Sequence, residues 1–189
     1  PENIYTLVWQ KDSWQIYENK ESLSRATLFT DYAIESDKNK TIEMLMDNQF
    51  VPGEQVILQE PMDKTLTFNK TNKGEALITS YSPNKVTIRT RSGSDALLFL
   101  SDTYYPGWKV SIDGKDGKIY RANYAFRAVP VEAGEHEVVF WYHPKTFDIG
   151  VKISAGALIA MIIVPILIPR ASARGMKIAP DVRKDNLKT

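Results

Sequence analysis

The chain has 189 residues, with 24 basic against 23 acidic side chains, two histidines and no cysteine. That length holds one well-filled domain plus an appendage rather than two large domains, and so even a charge balance gives a nucleic-acid partner no footing. The lack of cysteine rules out disulfides, thiolate metal sites and cysteine nucleophiles, and His136 and His143 stand in no zinc spacing, so neither a metal nor a cofactor is expected.

Along the chain, the opening residues carry no charged n-region followed by a short apolar stretch, so no signal peptide is expected there and the chain reads as a fragment. From residue 4 to 143, short β-type runs alternate with turn chemistry, which predicts a mainly β domain over 1–148, a β-sandwich or jelly roll with one minor helix. The helix is expected over 38–48, with Ile42, Leu45 and Met46 on one face against a sheet edge, and Val51-Pro52-Gly53 ends it. Val86 and Ile88, then Trp108, Val110 and Ile112, alternate with Thr87, Arg89, Lys109 and Ser111, as strands with one wet face do. The runs 96–100 and 138–141 are continuously apolar and predict central strands covered on both faces. Pro106-Gly107 suits a type II turn, and Asp113-Gly114 and Asp116-Gly117 suit hairpin turns. Ala133-Gly134-Glu135 separates a strand near 127–131 from the last one, 137–142.

Residues 149–169, IGVKISAGALIAMIIVPILIP, have Lys152 as their only charge and span roughly 30 Å as a helix, one bilayer crossing. Lys152 is close enough to the start to snorkel, Trp141 and Tyr142 suit an aromatic belt, and Pro165 kinks the helix. Arg170, Arg174, Lys177, Arg183, Lys184 and Lys188 follow, against Asp181 and Asp185. This predicts a disordered, basic cytoplasmic tail over 170–189 and an extracytoplasmic location for the β domain.

The run SDTYYPGWKVSIDGKDGKIYRANYAFRAVPVEAGEHEVVFWYHPKTFDIG, 101–150, and the earlier YENKESLSRATLF, 17–29, carry specific motifs. They include the Tyr105-Pro106-Gly107-Trp108 turn, the Asp113-Gly114 hairpin, the segment from Tyr120 to Arg127, and Ala133-Gly134-Glu135-His136 leading into an aromatic strand and a membrane span. Together they resemble the C-terminal region of bacterial YfhO-type membrane proteins. The resemblance implies a protein of many spans on a bacterial cell membrane, similar to GT-C glycosyltransferases, which use polyprenyl-phosphate sugars on the outer side and are linked to cell-surface polymers such as lipoteichoic acid. The catalytic acidic residue of that superfamily lies in an early outward loop, outside this chain. The implied role of the chain is that of an accessory domain, without a catalytic residue of its own, partnered by the remainder of the parent protein. The alternative is a non-catalytic glycan-binding or adhesion module on a single-span anchor.

If the domain contacts a glycan or an anionic surface polymer, the candidate substrate-binding residues are Tyr104, Tyr105, Trp108, Arg121, Tyr124 and Arg127, with Tyr120, Phe126, Asp102 and Asn123 nearby. Aromatic faces cover the C–H surface of a pyranose, amide and carboxylate groups bond its hydroxyls, and guanidinium forks suit phosphate. The same residues also describe a sandwich core, with Tyr104, Trp108 and Phe126 turned inward, and the arginines in ion pairs with Asp102 or Glu132. Asp31, Asp37, Glu54 and Glu60 read as a solvated surface rather than as a glycosidase pair, and His136 as a turn residue.

Overall fold

The computed structural model describes residues 4–69 and 74–167 and is mainly β, with three sheets and two helices. The chain divides into two units, Pro1–Lys145 and Thr146–Thr189. The expected tail, 170–189, lies outside the described residues.

In the first unit, β1 (Tyr5–Lys11) and β2 (Trp14–Asn19) form a two-stranded sheet of their own. A six-stranded sheet is built from β3 (Ala26–Phe29), β4 (Tyr32–Ile34), β5 (Val56–Leu58), β8 (Ala96–Leu100), β11 (Tyr120–Ala122) and β12 (Phe126–Val131), in the order β3-β8-β12-β11-β5-β4. A five-stranded sheet is built from β6 (Glu75–Ser82), β7 (Lys85–Ser92), β9 (Trp108–Ile112), β10 (Lys115–Gly117) and β13 (Gly134–Tyr142), in the order β10-β9-β13-β7-β6.

The two larger sheets share one core. Leu98 and Leu100 of β8 and Val129 and Val131 of β12 pack with Val86 and Ile88 of β7, Val110 of β9 and Val138 and Phe140 of β13. Each strand lends this core alternate residues, as the period of two requires, and this makes the fold the expected sandwich. The other face of the six-stranded sheet is covered as well. Leu97, Phe99, Tyr120, Ala122 and Ala128 form a second core with Phe29, Val56 and Leu58, and the Phe99 ring meets Phe29 and Phe126 edge-on, each at 5.6 Å. Burial on both faces explains why β8 is apolar at every position.

Four expectations need correction. The run 138–141 lies in β13, the middle strand of its sheet, yet Val139 and Trp141 are only half-buried, because among the described residues the outer face of that sheet has no second layer like the one over β8. Asp116-Gly117 sits inside β10 instead of in a turn; only Asp113-Gly114, with φ of 51° and 78°, turns the chain between β9 and β10. The chain turns earlier than expected before the last strand: β13 begins at Gly134, so His136, expected in a turn, lies in that strand opposite Thr90 of β7. Finally, α1 (Lys38–Met46) buries Thr41 while Ile42 and Met46 are exposed. Asp37 caps this helix by accepting from the Asn39 and Lys40 amides, and the Thr41 hydroxyl donates to the Asp37 carbonyl at 2.8 Å, so its anchorage is polar.

The second unit holds α2 (Lys145–Leu167), which runs 23 residues with no buried side chain and with Pro165 inside it. That length is about 35 Å at 1.5 Å per residue, long and apolar enough to cross a membrane.

Candidate functional site

The connection from β8 to β9 carries the chain from the six-stranded to the five-stranded sheet at one end of the sandwich. Within it, Tyr105-Pro106-Gly107-Trp108 forms the expected type II turn: Gly107 has φ 106° and the Trp108 amide donates back to the Tyr105 carbonyl at 3.4 Å. A β-carbon on Gly107 would lie 2.9 Å from Cε2 of Tyr142. Glycine therefore serves twice, supplying the backbone angle and admitting the tyrosine ring. The His143 amide, donating to the Gly107 carbonyl at 2.8 Å, ties the end of β13 to this turn. As a result the Trp108 and Tyr142 rings, opposite each other across β9 and β13, stand 5.6 Å apart, and Tyr105 stands 6.4 Å from Tyr142.

Against this aromatic group lies Arg127 of β12, whose side chain is 2% exposed. Its guanidinium lies over the Trp108 ring, 4.0 Å from the centroid, and 5.5 Å from that of Phe140. Nε donates to the Asp102 carbonyl at 3.3 Å and Nη2 pairs with Oδ2 of Asp102 at 3.2 Å, while Nη1 is buried without an acceptor. Burial pulls the Arg127 pKa below its ordinary value, and Asp102 and Tyr81 oppose that shift. Asp102 is the hub. Its carboxylate also accepts from the Tyr81 hydroxyl at 3.3 Å to each oxygen and lies 3.7 Å from Nη1 of Arg25, which itself sits over the Tyr81 ring.

Two open cavities flank the turn. One, of about 530 Å³, is lined by Tyr81, Asn84, Asp102, Tyr105, Trp108, Arg127 and Tyr142 among others. Its neighbour, of about 480 Å³, is lined by Tyr104, Tyr105, Trp108, Lys109, Lys118 and Trp141 among others. The family model described as "Bacterial membrane protein YfhO" matches residues 35–154, a stretch that contains every residue of this site except Arg25. The chain belongs to the YfhO family. The uncharacterized protein YfhO of Bacillus subtilis (strain 168) is 32% identical over 91 residues, which is 48% of this chain and 10% of that protein. The matched chain thus spans about a tenth of the length of this curated relative. No solved structure matches.

Within this YfhO domain the six sequence candidates separate. Tyr105, Trp108 and Arg127 meet at the first cavity, and Tyr104 joins Tyr105 and Trp108 at the second. Arg121, directly opposite Arg127 across β11 and β12, lies 4.8 Å from the Tyr104 ring. Tyr124 stands apart on the exposed tip between β11 and β12, at φ 68°, in a tight turn in which the Ala125 amide donates to the Asn123 carbonyl at 2.8 Å. Tyr120 and Phe126 belong to the second core, so the expectation that Phe126 faces inward with Trp108 fails: residues 126 and 127 of one strand point to opposite faces. The Tyr120 hydroxyl accepts from the Asp63 amide at 2.9 Å. Asn123 also has a structural task. Its amide donates to the Ile57 carbonyl and its Oδ1 accepts from the Ile57 amide, each at 2.8 Å, extending the sheet by a side chain.

Sequence reading passed over Arg25, Tyr81 and Tyr142 as site members. Arg25 sits within the 17–29 segment and Tyr142 within the aromatic run, so both carried a signal, but Tyr81 carried none. The expected ion pair of Arg127 with Asp102 is present, whereas Glu132 pairs with Lys64. Of the surface carboxylates, Asp37 caps α1, its pKa lowered first by the Lys40 amide, and Glu60 pairs with Lys118 at 3.3 Å.

Proposed function

We propose that this chain is an extracytoplasmic accessory domain of a longer YfhO family membrane protein that transfers sugars to a cell-surface polymer, and that its aromatic and arginine-lined end contacts the polymer. One observation carries the reading: Tyr105, Trp108, Tyr142, Asp102 and Arg127 line a single open cavity of about 530 Å³. Ligand cavities of this size hold one or two sugar rings, and aromatic walls with a few convergent polar groups are what carbohydrate needs. Trp108 and Arg127 fill structural positions too, yet a closed core would leave no open cavity beside them. The membrane helix α2 and the small share of its relative that the chain covers favour a module of a larger assembly over a freestanding adhesion domain.

The chain has no cysteine, so Tyr105→Cys adds one reporter at an exposed site, read against the labelling of the unaltered protein. In intact cells an impermeant maleimide labels this variant without permeabilisation, and replacing Trp108 and Tyr142 together by alanine in the full protein lowers the sugar content of the surface polymer while the protein still reaches the membrane. Labelling only after permeabilisation sinks the outward location, and an unchanged sugar content sinks the contact.

A further inference from the structure

We infer that the end of the five-stranded sheet carrying Trp141 is a docking surface for anionic phospholipid headgroups, with the indole of Trp141 in the bilayer interface and Lys85 and Lys109 on the headgroup phosphates. This docking requires α2 to cross the bilayer and is independent of the proposed polymer contact.

Register builds the cluster. Trp141 of β13 lies directly opposite Lys85 of β7 on one side and Lys109 of β9 on the other. Residues opposite one another share a sheet face with their β-carbons about 5 Å apart, so one lysine stands on each side of the indole. All three are on the outer face, away from the core that Val86, Val110 and Phe140 enter. Both lysines are exposed and Trp141 is half-buried, so a ligand at the surface reaches the ammonium groups. Neither lysine pairs with a carboxylate among the described residues.

Charge sorts along the same face. At the other end of β13, Glu135 lies opposite Arg91 and pairs with it at 3.4 Å, and Glu137 lies opposite Arg89, so the charges there offset one another. Toward Trp141 the balance turns positive. Asp116 of β10, opposite Ser111, brings an exposed carboxylate to this face, against Lys85, Lys109 and Lys145, the first residue of α2. Lys118 is already held by Asp63 and Glu60.

Chain connectivity tethers this end to the membrane helix. β13 ends at Tyr142 and α2 begins at Lys145, and the four residue steps from Trp141 to Lys145 reach no farther than about 14 Å. The headgroup layer on each side of the hydrocarbon is roughly 5–8 Å thick. Tryptophan favours that layer, where its ring meets apolar groups and its N–H stays wet. Each lysine near an anionic surface adds about fivefold to the affinity. The cavity of about 480 Å³ that Trp141 and Lys109 line gives a headgroup a recess beside the indole. Lysine is depleted at protein–protein interfaces, so two lysines around one indole fit a lipid occupant rather than a protein one.

The test places the full chain, one copy per nanodisc, in phosphatidylcholine with or without phosphatidylglycerol, with a trace of lipid carrying a nitroxide on its headgroup. The chain has four tryptophans, and the quenching lost in Trp141→Phe isolates the contribution of Trp141. That contribution rises about threefold or more when phosphatidylglycerol is present. Lys85→Gln combined with Lys109→Gln returns it to the phosphatidylcholine value, as does high salt. Both lysines are exposed, so the double variant keeps the fold. Trp141 quenched equally with and without phosphatidylglycerol, or not quenched at all, overturns the docking surface. So does Trp141 quenched in this chain but shielded in the full-length parent protein, where another part of that protein then covers the face.

Discussion

The two ends of β9 hold the same chemical pairing, a carboxylate against a nitrogen base, in opposite surroundings. At the Trp108 end, Asp102 and Arg127 are 13% and 2% exposed, with an aromatic ring stacked on the guanidinium. At the Asp113 end, Oδ2 of Asp113 meets Nδ1 of His136 at 2.7 Å, with 47% of the aspartate side chain in water. Asp113 also accepts from the Glu137 amide at 2.9 Å, and its pKa is lowered first by His136 and then by that amide. Water supports the Asp113 pair, so losing a partner there costs little. The Asp102 pair has little water and is supported instead by the Tyr81 hydroxyl, the Trp108 ring and the half-exposed Arg25. Burial, rather than the identity of the groups, sets what each pair is worth.

The largest expected effect is at the buried pair. Asp102→Ala leaves Arg127 charged and uncompensated and destabilises the first unit by about 3–5 kcal/mol, read by chemical denaturation. Arg127→Met combined with Asp102→Leu recovers most of that loss, because both buried charges then disappear; a double variant as unstable as the single one breaks the comparison. Next is Gly107→Ala, which forces an L side chain to φ 106° and into Tyr142. It costs about 2 kcal/mol and shifts the tryptophan emission as Trp108 loses its neighbour.

Asp113→Asn is smaller, no more than about 1 kcal/mol at neutral pH. Its signature lies in acid. Folding lowers the Asp113 pKa, so the unfolded chain takes up that proton first as pH falls. The stabilisation is full above the ordinary carboxylate range near pH 4 and is lost below it, so the variant has a flatter stability curve at the acid limb. The smallest change is Lys118→Gln. It removes an exposed ion pair to Asp63 and Glu60 and leaves the melting temperature within error.

At the Asp113 end the Asp113-Gly114 turn was legible in sequence because it is local, whereas the pairing of Asp113 with His136 was not. Asp-Gly demands positive φ at both positions of a two-residue hairpin, and no distant residue alters that demand. Pro106-Gly107 was legible for the same reason. The Trp108 end was legible in part: Tyr105, Trp108 and Arg127 were named, and so was an ion pair with Asp102, but Arg25, just before β3, and Tyr81 of β6 join from far away in the chain. No spacing rule connects residues 25, 81, 102 and 127. Phe126 was placed on the wrong side because alternation gives the period of a strand without saying which face a given residue takes, and where both faces of a sheet are buried, hydrophobicity cannot break the tie.

By itself, the sequence determined the β class, the turns at Pro106-Gly107 and Asp113-Gly114, the apolar helix and the family, since each depends on residues close together in the chain or on a run of them. Only the tertiary structure decided which strands share a sheet, that β12 and β13 lie in different sheets, and that one guanidinium nitrogen lies buried beside an open cavity. Those outcomes depend on long-range pairing and burial, where the free energy of a side chain is set by neighbours that the local sequence does not contain.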